Sequence, residues 1–180
     1  MRLRWSGLRR SGVPDAVAAA VTGAPDADPA DRLIAWAPAE EGRTALVAGR
    51  HRLHVVAVEG DGARLVRSRP WHLVDTGSWT EQAVLRVTWV DREAPLRVPV
   101  DEPGMLPETI RERVQASVVL AETLDLGERR TARVVVRRDL ATGALLSQAV
   151  LGRGVRADDP GVAAQVRAGL DAVREQVGLD

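Results

Sequence analysis

The sequence predicts an α+β fold built on antiparallel strands, and three observations carry that reading. Seven short runs rich in β-branched and apolar residues follow one another between residues 32 and 100. Each run is bounded by turn residues, and the connectors between them are of turn type. Two longer stretches, around Ile110 and Val162, repeat apolar residues at helical spacing.

Taken in order, the chain opens with a basic, then Ala-rich arm in which Val13 to Val21 suits a short helix. "GAPDADPAD", residues 23 to 31, reads as a Pro/Ala/Asp linker. The strand candidates are "RLIAWAPA" (32–39), "TALVAG" (44–49), "RLHVVAV" (52–58), "ARLVRS" (63–68), "HLVDTGSW" (72–79), "AVLRVTWV" (83–90) and "PLRVPV" (95–100). "EGDG" between the third and fourth supplies glycines for a hairpin turn. In the sixth strand Leu85, Val87 and Trp89 share one face. In the seventh, Pro99 cannot donate to a ladder and marks an edge or an end.

A helix begins near Pro107, whose fixed φ suits the first turn. Ile110, Val114, Ser117, Val118 and Ala121 form its apolar stripe. The β-branched "SVV" predicts a switch from helix to strand near Val118. "RTARVVVRRD" and "GALLSQAVLG" then form a hairpin across "LATG". A last helix opens at Pro160 behind an Asp158 or Asp159 cap. Val162, Val166, Leu170, Val173 and Val177 give its buried stripe, and Gly178 suits the position after its end.

This order resembles the pleckstrin-homology-like (PH-like) superfold, and in detail its bacterial branch. The residues that carry the resemblance are "TALVAGRHRLHVVA", where an Arg-Leu pair opens a strand, and "RPWHLVDTGSW" with Val74. The resemblance implies an antiparallel β-barrel or sandwich of about seven strands in two nearly orthogonal sheets, capped by the Ile110 helix. The C-terminal hairpin and helix are an addition to it. The corresponding divisions are an arm and linker over 1–31, the capped barrel over 32–126, and the hairpin plus helix over 127–180. "RLIAWAPA", "PWHLVDTGSW", "RERVQASVV" and "VVVRRD" also resemble a family of conserved proteins from GC-rich actinobacteria, a resemblance that implies no particular chemistry.

Composition narrows the function. The formal net charge is zero, with 25 acidic and 25 basic residues. That removes the global footprint of a protein that neutralises many phosphates, though not a local patch. Every basic residue is arginine, a bias that follows from GC-rich codons before it reports anion binding. Without Cys or Lys, thiol nucleophiles, thiolate metal sites, Schiff bases and phosphate-loop lysines are closed. The apolar part of the N-terminal stretch is broken by Gly7, Pro14 and Asp15, and no run approaches the length of a membrane span, so a cytoplasmic protein is expected.

No spacing supports catalysis. His72 and Asp75, three apart in a strand, fall on opposite faces. His51 and His54 lack a third partner for a metal. "GRG" at 152–154 reads as a turn, and no serine sits in a G-x-S-x-G elbow. No cofactor, metal ion or catalytic residue is therefore expected. In a sequence without Phe or Tyr, indoles must supply the aromatic bulk, so Trp36, Trp79 and Trp89, with Ile110 and Val114, are core candidates. Trp71, after Pro70 at a strand start, is the one expected to face a groove. Arg129, Arg130, Arg133, Arg137 and Arg138 form the strongest charged cluster, a candidate surface for an anion or an acidic partner, with a solvated face as the plainer reading.

The leading expectation is a non-enzymatic binding or scaffold module that contacts a protein partner or self-associates through a sheet edge. A small enzyme with an Asp/Glu/His/Arg cleft is the rival. A nucleic-acid accessory protein working through the Arg129–Arg138 strand is the third reading.

Overall fold

The computed structural model describes residues 12–179, so the first part of the expected N-terminal arm lies outside the described residues. Among the described residues there are three helices and ten strands, and the strands lie in three antiparallel sheets. The chain divides into two units, Met1–Val114 and Gln115–Asp180.

In the first unit, α1 (Asp15–Thr22) precedes β1 (Leu33–Ala39), β2 (Thr44–Gly49), β3 (Arg52–Glu59) and β4 (Gly62–Pro70), which pair in the order β1-β2-β3-β4. The two central strands carry the continuous apolar runs. Ala45 to Gly49 and Leu53 to Val56 are all buried, as a strand covered on both faces requires. The edge strands alternate instead. Val17 and Val21, four apart on α1, pack on Ala45, Val47 and Val56. The burial of each valine is worth about 1.5–3 kcal/mol. The small Ala45 lets the helix approach the sheet.

Pro70 has no N–H to continue a ladder. It ends β4, and a 3-10 turn over Trp71–Leu73 leads into a second sheet. That sheet is β5 (Val74–Trp79), β6 (Val84–Trp89) and β7 (Leu96–Pro99), paired in sequence order. Helix α2 (Leu106–Ser117) follows, with Leu106 and Ile110 buried. Ile110 reaches β5 of the second sheet: a Cβ added at Gly77 would lie 3.2 Å from Ile110 Cγ2. Glycine there clears the path of the helix.

The seven strands do not close into the barrel that the PH-like resemblance implied. One isolated bridge, Ala39 to Val100, links the two sheets at one corner. Glu40 N–H donates to Pro99 O at 3.0 Å and Asp101 N–H to Pro38 O at 2.9 Å beside it. At the other corner the proline and the 3-10 turn leave β4 and β5 without a shared ladder.

The interior also differs from an indole-filled cage. Trp71 and Trp89 are buried, but Trp36 and Trp79 are only half-buried. Alanines at 35, 37, 39, 45 and 48 occupy much of the buried sheet surface. Trp71, expected at a groove, has no exposed surface, and its indole N–H donates to Gly49 O at 3.1 Å. The 3-10 turn rotates it inward, where a regular strand start would not.

The second unit holds β8 (Val118–Asp125), β9 (Thr131–Arg138), β10 (Leu145–Leu151) and α3 (Pro160–Gln176), with sheet order β10-β9-β8. Its boundary precedes the 126/127 division read from the sequence, because β8 pairs with β9 along its length and so belongs with the hairpin. The helix gives way to strand at Val118, where β-branched residues begin. Asp159 caps α3 by accepting from Gly161 N–H at 2.9 Å and Val162 N–H at 3.3 Å, with Pro160 in the first turn. Val173 packs against Val134 and Val136, and Val162 against Ala132 and Leu126.

Candidate functional site

Two acid–histidine pairs and the edge strand that borders a groove are the features of the first unit that bear on function. The pairs come from the stretch read as a linker. Asp28 and Asp31 are three apart, as are His51 and His54, and they match in order. Asp28 Oδ2 lies 2.7 Å from His51 Nδ1, and Asp31 Oδ2 lies 3.0 Å from His54 Nε2. Asp31 Oδ1 also accepts the His51 backbone N–H at 2.7 Å. A carboxylate only accepts, so His51 carries its proton on Nδ1 and His54 on Nε2 when neutral. The His54–Asp31 pair is buried on both sides. Gly49 makes room for it, since a Cβ there would fall 2.6 Å from Asp31 Oδ2. The hydrogen bond from His51, helped by the Ala30 N–H, holds the Asp28 carboxyl below the usual range against a small opposing effect of burial.

His54 Nδ1 is buried without a hydrogen-bond partner. The ring lines a cavity of ≈ 10 Å³ together with Asp26, Asp28, Asp31, Arg52 and Ser68. That is space for about one water and none for a substrate. The titratable groups divide into two pairs that tie the linker to the β2–β3 turn, which is a structural clasp. Among the described residues no three His, Cys, Asp or Glu are placed to hold a metal ion.

Arg69 forms a second buried node. It is buried, its guanidinium sits 4.7 Å from the Trp89 ring centroid, and it pairs with Asp91 and Glu93. Burial is the largest single influence on Asp91 and pushes it up, but the hydrogen bonds from Arg69 and the Glu93 and Asp91 backbone, with the charge of Arg69, together outweigh it and leave the carboxyl below its ordinary value. Trp89 is fixed further by its N–H to Ala94 O at 3.1 Å.

The arginine cluster expected on β9 is not one surface. Arg129 and Arg138 are exposed, Arg130 and Arg133 are half-buried, and Arg137 is buried with its guanidinium donating to Ser117 Oγ at 3.0 Å. Arg130 is drawn to Asp159 at 3.6 Å and Glu128 at 3.8 Å. The period of two puts Arg133 and Arg137 on one face with buried Val135, away from Arg130 and Arg138. Val114, a core candidate, is half-buried, and His72 lies in the 3-10 turn ahead of the strand that holds Asp75.

β1, β5 and β7 are also edge strands of their sheets, and β4 is an open edge beside a groove. It pairs with β3 on one side only, and a bulge at Val66 interrupts the pairing. Val66 is 55% exposed. A groove of ≈ 490 Å³ runs between this edge, the last turn of α1 and the start of the linker. Sequence reasoning missed the Asp–His clasp, for which the repeated spacing of three was the available signal. Pro99 marked β7, which is an edge strand, but nothing marked β4 as another. No helix among the described residues is long and apolar enough to cross a membrane. No protein-family model, curated protein or solved structure matches the chain.

Proposed function

We propose that this chain is a non-enzymatic binding module on a PH-like framework, and that it takes an extended segment of a protein partner against the β4 edge. A four-stranded meander, a three-stranded meander and a following helix that reaches Gly77 support the PH-like reading. The observation that carries the binding reading is the free β4 edge beside an open groove. A strand with unpaired backbone N–H and C=O groups is a template for an added strand. The enzyme reading is weaker, because the titratable cluster leaves space for no more than about one water. The nucleic-acid reading is weaker because the β9 arginines lie on different faces, Arg137 is held by Ser117, and Arg130 just before the strand is held by Asp159.

Selection of random displayed peptides against the full chain tests the proposal, followed by backbone amide exchange of the complexes. Bound peptides are expected to slow exchange between Gly62 and Pro70. Protection confined to any other element, or a selection that yields no binder, refutes it.

A further inference from the structure

The register of β4 narrows what the groove accepts. Residues directly opposite across an antiparallel ladder share a face. Leu65 opposes Val56 and Ser68 opposes His54, while Arg64 opposes Ala57 and Arg67 opposes Val55. Val56 faces α1. The extra residue at Val66 therefore keeps Ala63, Leu65 and Ser68 on the α1 side of the edge and Arg64 and Arg67 together on the other. Without the bulge, strict alternation would put Arg67 on the α1 side.

Resting on the binding reading above, we propose that the groove selects an extended partner segment in which small apolar and acidic side chains alternate. On the α1 side the groove is walled by Ala20, Ala24, Pro25, Ala63 and Leu65. These are short side chains that leave room for apolar groups of an added strand. On the other side stand Arg64 and Arg67, two positive charges against one carboxylate, Asp26, among the residues that line the groove, with the Arg67 guanidinium 5.8 Å from the Trp89 ring centroid. Arg64 is held only loosely, 3.9 Å from Glu59 with both side chains exposed. Groove residues 63–68 span about 20 Å at strand rise, enough for roughly six residues of an added strand. Residues of one added strand alternate faces, so one set meets the alanines and leucine and the other meets the arginines.

The test uses three labelled hexapeptides that alternate Val with Glu, Ser or Arg, titrated into the full chain by fluorescence anisotropy, with backbone amide shifts recorded in parallel. The Glu peptide is expected to bind roughly three- to tenfold tighter than the Ser peptide at low salt, since exposed charge pairs are individually weak. The Arg peptide is expected to bind weakest. The shifts should centre on Gly62–Pro70, and Arg64→Glu should abolish the acidic preference while leaving the circular dichroism unchanged. Equal binding of all three at β4, or a preference for Arg, overturns the acidic selectivity and leaves the edge reading standing. Absence of shifts at β4 with every peptide overturns both. So does a concentration-dependent dimer, seen by sedimentation, that protects β4 in the free chain.

Discussion

Gly49→Ala tests the physical account of the clasp. Gly49 does not occupy a left-handed backbone conformation; it is small because Asp31 lies against it. A Cβ there would sit 2.6 Å from Asp31 Oδ2 and 2.7 Å from Asp31 Cγ, far inside van der Waals contact. The carboxylate must move, and it cannot move without leaving the His51 backbone N–H and His54 Nε2, both buried. Each buried donor left unpaired costs about 1–3 kcal/mol, so the variant should lose about 2–6 kcal/mol. Urea unfolding followed by tryptophan fluorescence is the assay. All five tryptophans of the sequence fall within Met1–Val114, so the signal reports that unit alone. With a slope of about 2 kcal/mol per molar urea, the midpoint should fall by roughly 1–3 M. A loss under about 0.5 kcal/mol would show that the clasp relaxes freely and that the two pairs do not anchor the linker.

Acid should loosen the same region. The carboxyl of Asp28 is depressed in the folded chain, so its contribution is complete above the unfolded value near 4 and is lost as pH falls through the lower folded value. Asp28→Asn should flatten the fall in fluorescence midpoint below about pH 4. Trp71→Ala removes a fully buried indole and its bond to Gly49 O, and should cost about 3–5 kcal/mol in the same unfolding assay. Arg69→Met keeps much of the stem but strips the partner from Asp91 and Glu93. Both carboxylates are partly exposed, so a loss of about 1–3 kcal/mol is expected, with a shift in the Trp89 emission as its guanidinium cover goes.

Local rules made much of the fold legible. The hairpin turns were marked by their own residues, as at "EGDG", and the strands they bound run 33–39, 44–49, 52–59 and 62–70. The Pro160 start and Asp159 cap of α3 depend on neighbours one to three residues away. The switch from α2 to β8 follows from the side-chain branching of "SVV". The illegible features depend on partners distant in sequence. Asp31 looked like a linker aspartate because its histidine lies 23 residues on. Arg137 looked like a solvated charge because its Ser117 partner lies 20 residues back. Trp71 looked accessible because nothing in "RPWHL" announces a 3-10 turn. That β4 would be left at a sheet edge, and that the ladder would stop between β4 and β5, are matters of packing that strand patterns do not encode, whereas Pro99 marked the β7 edge.

The seating of α1 has a practical consequence for anyone trimming the molecule. Composition invites a cut at residue 32, where the Pro/Ala/Asp stretch gives way to strands. Such a truncation would strip the cover from Val47 and Val56 and remove both carboxylates that His51 and His54 hold. The shortened polypeptide would present a bare valine-lined sheet to water, and it should aggregate more readily than the longer chain.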